Sequence, residues 1–131
     1  MKKYISALAV FLLVVLSSLN SYAQNDISIS GIWADSNSAS FQNCYALFSQ
    51  DGESVYLVHY LEFNGTGMVE HGFGKRVGNK VEYEVKVTKA IPGWSTSGKH
   101  TLYLSPDGNT LRGTYVDAKG NEGPIVFKRV K

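Results

Sequence analysis

The chain of 131 residues has one cysteine, Cys44. That excludes an intramolecular disulfide, so the core alone has to hold the fold; in an oxidising compartment the thiol must be buried, paired with another chain or chemically used. Beyond residue 23 helical periodicity is missing, and no linker, repeat or low-complexity tract marks a second domain. An excess of one charge is missing too. Thirteen Lys and Arg stand against 11 Asp and Glu, and the first 23 residues hold two of the bases, Lys2 and Lys3. The remainder is formally neutral, which gives no electrostatic reason to expect nucleic acid or an anionic membrane as partner.

One long apolar run is present. Met1-Lys2-Lys3 precedes Ile5 to Leu16, and Ser21-Tyr22-Ala23 supplies the small-x-small pattern that signal peptidase accepts. The pattern predicts a bacterial-type signal peptide, residues 1–23, cleaved after Ala23, with Gln24 first in the mature chain and a periplasmic or secreted location. The run is short for a membrane span, so no stable membrane insertion is expected after cleavage; a retained N-terminal anchor is the alternative. No Cys stands near the cleavage site to take a lipid. Residues 24–131 suit a single domain that buries about two-thirds of its unfolded surface.

Alternation with a period of two then recurs, most plainly from Val81 to Thr88. Turn pairs divide the chain at Asp51-Gly52, Asn64-Gly65, Gly78-Asn79, Asp107-Gly108 and Lys119-Gly120. Eight strands are expected near 27–33, 41–50, 53–63, 66–76, 80–89, 99–105, 109–117 and 123–130. Eight sequential antiparallel strands can close into an up-and-down β-barrel, which removes exposed edges and leaves room for one small ligand. A two-sheet β-sandwich is the alternative. In a meander, the tight turns at 51–52, 78–79 and 107–108 share one rim. The runs 34–40, 90–98 and 117–123 share the other with Asn64-Gly65, and that rim is where a binding mouth is expected.

Even-length hairpin loops carry the inside and outside assignment from strand to strand. Starting from Val81, Tyr83, Val85 and Val87 as the inner face, the inner set includes Gly74, Gly72, Glu70, Met68, Leu61, His59, Leu57, Val55, Phe48, Ala46 and Cys44. The expected inner row is Cys44, His59, Glu70 and Val87. The expected outer row is Tyr45, Val58, His71 and Lys86, with Tyr56, Tyr60, Val69 and Phe73 around it.

Cys44, His59 and Glu70 are the residue types of a thiolate nucleophile, its base and an orienting carboxylate, although a buried Cys beside an ordinary His–Glu pair accounts for them equally. His59, His71 and His100 lie on separate strands, with His59 and His71 on opposite faces, and no close spacing marks a zinc site. Neither metal nor cofactor is expected. Trp94, in the loop Ala90 to Gly98, suits either a lid or a core cap. Asn64-Gly65-Thr66 fits the glycosylation acceptor pattern and reads here as a hairpin turn.

Gly31-Ile32-Trp33 resembles the Gly-x-Trp of the calycin group of small β-barrels: lipocalins, fatty-acid-binding proteins and avidins. In lipocalins that Trp plugs the closed end beneath a basic residue near the last strand, which Lys128 or Arg129 would match. The avidin likeness is the polar run after the motif, Asp35, Ser36, Ser38 and Ser40, then a strand from Phe41; it implies ligand contacts at Asp35 and Ser36. The later tryptophans of an avidin pocket are absent, so biotin is not implied. Trp33 beside 34–40 and 90–98 would mean an avidin-like mouth; Trp33 beneath Lys128 or Arg129 would mean a lipocalin-like plug.

The leading expectation is an exported, non-enzymatic barrel holding a small, largely apolar ligand against Leu57, His59, Leu61, Tyr83, Val85 and Tyr115, with Trp94 near the mouth. The second is an interaction module with a filled interior, docking a protein partner on Tyr56, Tyr60, His71 and Phe73. The third is an enzyme dependent on Cys44 and His59.

Overall fold

Side chains at alternate positions of eight strands turn inward, and the strands close on themselves, in a computed structural model that describes residues 27–37 and 43–131. The signal segment, its cleavage site, Gln24, Ser38, Ser40 and Phe41 lie outside the described residues. The strands are β1 (Gly31–Asp35), β2 (Tyr45–Asp51), β3 (Ser54–Phe63), β4 (Thr66–Val77), β5 (Lys80–Val87), β6 (Ser97–Leu104), β7 (Thr110–Asp117) and β8 (Glu122–Arg129). Each pairs antiparallel with its neighbour in sequence, and β8 returns to β1. The fold is an all-β, up-and-down barrel, which sets aside the two-sheet sandwich.

The inner face is the one the alternation marks. Ala46, Phe48, Val55, Leu57, Val81, Tyr83 and Val85 are buried, while the intervening Tyr45, Leu47, Tyr56, Val58 and Glu84 are exposed. Turn chemistry fixes the register. Asn64 and Gly65 both have positive φ, 50° and 74°, as a type I′ hairpin requires, so Phe63 faces Thr66 and His59 faces Glu70. About Gly78-Asn79, Glu70 faces Val87, Gly72 faces Val85 and Gly74 faces Tyr83.

The β2–β3 hairpin corrects the expected rows. Its turn is Gly52-Glu53, with Gly52 at φ 56° in the first central position and Asp51 facing Ser54. That shifts the pairing by two residues, which preserves the faces and changes the partners. The inner row is Ala46, His59, Glu70 and Val87, and the outer row is Leu47, Val58, His71 and Lys86. Cys44 precedes β2, beyond Asn43, which holds the left-handed conformation at φ 59°.

The first strand is also shorter at its start than the alternation from Ile27 implies. Residues 27–30 do not pair as a strand; they lie across the tight-turn end, where arginines take their carbonyls. Arg76 Nη1 donates to Ile27 O at 2.5 Å, and Arg129 donates to Ser28 O at 2.7 Å and Ser30 O at 3.1 Å. β1 begins at Gly31, where φ is 141° and a Cβ would run into the Lys131 carbonyl. A glycine is needed there because the C-terminal backbone passes so close.

Trp33 resolves the positional choice. β1 continues past it to Asp35, and its fully buried indole lies at the tight-turn end with the Arg129 guanidinium 4.3 Å above the ring. That is the plug position, and Lys128 instead points outward toward Thr110. The indole N–H donates to Ile29 O at 2.9 Å. Phe48 meets Trp33, Tyr83 and Phe127 edge to face, with centroids 6.2, 5.7 and 5.7 Å apart. Each buried aromatic of this kind contributes several kcal/mol by burial, with about 0.5–1.5 kcal/mol more for each edge contact. The barrel is therefore solid from the tight-turn rim to about its waist.

Candidate functional site

Above the waist the inner side chains change from hydrocarbon to titratable groups. His59 stands in the middle of β3 and points inward because its neighbours Leu57 and Leu61 do, and hairpin pairing sets Glu70 directly opposite. Nδ1–H of His59 donates to Glu70 Oε1 at 3.0 Å. On its other side Nε2 is 3.6 Å from Asp35 Oδ2, an ion-pair contact longer than a hydrogen bond, so this buried nitrogen has no hydrogen-bond partner. The Asp35 carboxyl is held at the end of β1 by the Asn37 N–H, which donates to Oδ1 at 2.8 Å. Burial works to depress the His59 pKa; the nearby Asp35 carboxylate, together with the hydrogen bond and charge of Glu70, outweighs it, and the net shift is upward. The imidazolium is thus favoured between two carboxylates, with its ring edge on Phe127.

A second histidine behaves in the opposite way. His100 on β6 faces Tyr83 on β5 and Tyr115 on β7. Its Nδ1 is 3.0 Å from the Tyr83 hydroxyl, and burial lowers its pKa to about 4. Burial likewise pushes the Tyr83 hydroxyl well above its ordinary value. The arrangement in which Tyr83 O–H donates to Nδ1 leaves both groups neutral and places the imidazole proton on Nε2.

Over these groups opens a cavity of about 400 Å³ that reaches the loop-rich rim. Asp35, His59, Glu70 and His100 lie at its floor; Leu61, Val85, Tyr115 and Ile125 wall it; Phe63, Trp94, Asn37, Asp117 and Asn121 surround the mouth. Trp94 leans on Phe63 with ring centroids 5.0 Å apart. The volume falls within the range of about 300–1,000 Å³ usual for small-molecule sites.

Of the residues expected to meet a ligand, His59, Leu61, Val85, Tyr115 and Trp94 line the cavity. Leu57 and Tyr83 do not. Both point inward but belong to the packed lower core, and Tyr83 reaches the floor only through its bond to His100. Asp35, expected from the avidin likeness alone, is at the floor, whereas Ser36 is not among the lining residues. Inward parity at Phe63, Asp117 and Ile125 is the signal that would have added them; Asn37 and Asn121 belong to loops, where alternation says nothing.

Cys44 is buried with Leu61 and Met68, and its Sγ accepts the Glu62 N–H at 3.4 Å. Burial pushes its thiol up, away from the reactive thiolate. The His59 nitrogens face Glu70 and Asp35, so the thiolate–imidazole–carboxylate sequence is not the one assembled. Among the described residues no cluster of three His, Cys, Asp or Glu side chains is placed to hold a metal ion. His71 lies on the outer face near Thr88, with Tyr56 and Phe73, which are 58% and 68% exposed, on the same side.

Barrel closure and strand order are consistent with a calycin-like barrel. The comparisons add no relative. No family model, curated protein or solved structure matches the chain. The likeness to calycins therefore rests on architecture and the Gly31-Ile32-Trp33 motif, and the chemistry has to be read from the cavity itself.

Proposed function

We propose that the protein is an exported, non-enzymatic, lipocalin-like carrier that holds one small molecule in the cavity at its loop-rich rim. The observation that carries this reading is a cavity of about 400 Å³ above an otherwise packed core, with the buried His59 Nε2 unsatisfied at its floor. A buried donor without a partner is destabilising by about 1–3 kcal/mol, and a ligand oxygen would remove that penalty. The ligand expected as largely apolar has an apolar body, matched to Leu61, Val85 and Ile125, and a polar end that meets the floor. Export to the periplasm or beyond rests on the leader pattern of residues 1–23.

An open cavity speaks against an interaction module with a filled interior, and the burial of Cys44 speaks against a cysteine enzyme. Native mass spectrometry of protein purified from its own host tests the carrier reading. Wild-type protein should retain a small molecule, and Val85→Phe, which places a ring in the cavity, should lose it. Equal retention by both, or wild-type protein that neither retains a molecule nor binds the aryl probes named below, overturns it.

A further inference from the structure

The lining of the cavity is one-sided in charge. Asp35, Glu70 and Asp117 belong to it, and no Lys or Arg is among its described lining residues. Residues 38–42, Ser-Ala-Ser-Phe-Gln, contain no charged residue. His59, between Asp35 and Glu70, offsets one carboxylate. His100 offsets none, since burial keeps it neutral. Asp117 stays ionised: the Asn121 side chain is the main cause of its lowered pKa, and the backbone N–H groups of Lys119 and Asn121 add to it. A negative balance therefore remains in a recess with apolar walls, where water screens charge poorly.

Two further observations define the ligand. The rings of Trp94, Phe63 and Tyr115 lie around the cavity, and aromatic faces attract cations. At the floor, His59 Nε2 is a buried donor whose nearest acceptor, Asp35 Oδ2 at 3.6 Å, lies beyond hydrogen-bond distance. The carboxylates call for positive charge and the imidazole calls for an oxygen.

Building on the carrier reading, we propose that the cavity takes a small organic ammonium ion with a hydroxyl or carbonyl oxygen close to the nitrogen. The ammonium sits against the Asp35 and Glu70 carboxylates, the oxygen accepts from His59 Nε2, and the apolar body lies against Leu61, Val85 and Ile125.

Three probes that share a phenyl carbinol body and differ only in the terminal group test this: phenylethanolamine, phenylethanediol and mandelate. Calorimetry on the wild-type protein should rank the cation first by at least tenfold over the neutral diol, with the anion weakest. Asp35→Asn should reduce the margin of cation over diol severalfold. Glu70→Gln should do the same, and the wild-type ranking stands as a test even where a variant fails to fold. If the diol or mandelate binds as tightly as phenylethanolamine, the charge assignment is overturned and the carrier reading survives. If no probe binds and the purified protein retains no molecule, the carrier reading falls as well.

Discussion

The two ends of the barrel bury opposite charges and treat them differently. At the tight-turn end, Arg76 and Arg129 point inward and their N–H groups are matched to fixed oxygens. Arg76 donates to Gly78 O at 2.8 Å, to Ile27 O and to Gln50 Oε1; Arg129 donates to Gly108 O, Ser28 O and Ser30 O. A guanidinium suits this because its planar fork reaches several carbonyls at once. At the loop-rich end the buried charges are carboxylates about an imidazole, and one imidazole nitrogen is left without a hydrogen-bond acceptor beside open space. One end is complete in itself and serves stability. The other end leaves the His59 Nε2 donor unmatched, and the proposed carrier role rests on that difference.

The sharpest way to break this contrast is at the plug. Trp33→Ala should destabilise the barrel by about 3–5 kcal/mol in urea unfolding, the range for deleting a buried aromatic. A loss below about 1 kcal/mol would mean that the tight-turn end is not the foundation of the fold.

Next come the two histidines, whose pH effects have opposite sign. The folded pKa of His100, about 4, lies below its ordinary value near 6.5. Its contribution to stability is therefore present above pH 6.5 and is lost as pH falls toward 4, by up to about 3 kcal/mol. His100→Phe should flatten that acid limb of the stability profile. The folded pKa of His59 is raised, so its contribution is present below the ordinary value and is lost as pH rises through the folded one. The difference between wild type and His59→Gln should shrink on going alkaline. NMR titration of the imidazoles should place His59 above His100; the reverse order would refute both assignments.

A smaller effect is expected from Arg129→Lys, which keeps the charge and loses the fork that spans Ser28, Ser30 and Gly108. About 1.5 kcal/mol should be lost, with probe binding at the far end unchanged. Smallest is Cys44→Ser, within about 1 kcal/mol of wild type. A thiol reagent should modify Cys44 only as fast as the protein unfolds. Rapid modification of the native protein would contradict the burial of this residue.

How far the sequence discloses this arrangement depends on the range of the interactions. Face assignment is local: Tyr83, Val85 and His59 are placed correctly because two-residue turns transmit parity over short distances. The β2–β3 register is missed by two residues, since Asp51-Gly52 and Gly52-Glu53 are both plausible turns and only the second puts Gly52 in the first central position. Ile27 to Ser30 alternates like a strand, and what prevents pairing is its capture by Arg76 and Arg129, 49 to 101 residues away along the chain. The open cavity is less legible still. Leu57 and Val85 share the inner face, and nothing in their types says that one is packed beneath the waist while the other borders empty space.

The capture of residues 27–30 also gives the molecule an orientation. Ile32 donates its N–H to Lys131 O at 2.8 Å and accepts the Val130 N–H at 2.7 Å, so the first and last described segments meet at the tight-turn pole. Ile27 and Lys131 thus both lie at the pole opposite the mouth. Tethered there to a bead or a surface, the barrel would present its entrance outward, and a cut in the 118–121 loop with a short bridge from Lys131 to Ile27 would yield a circular permutant that keeps the plug whole.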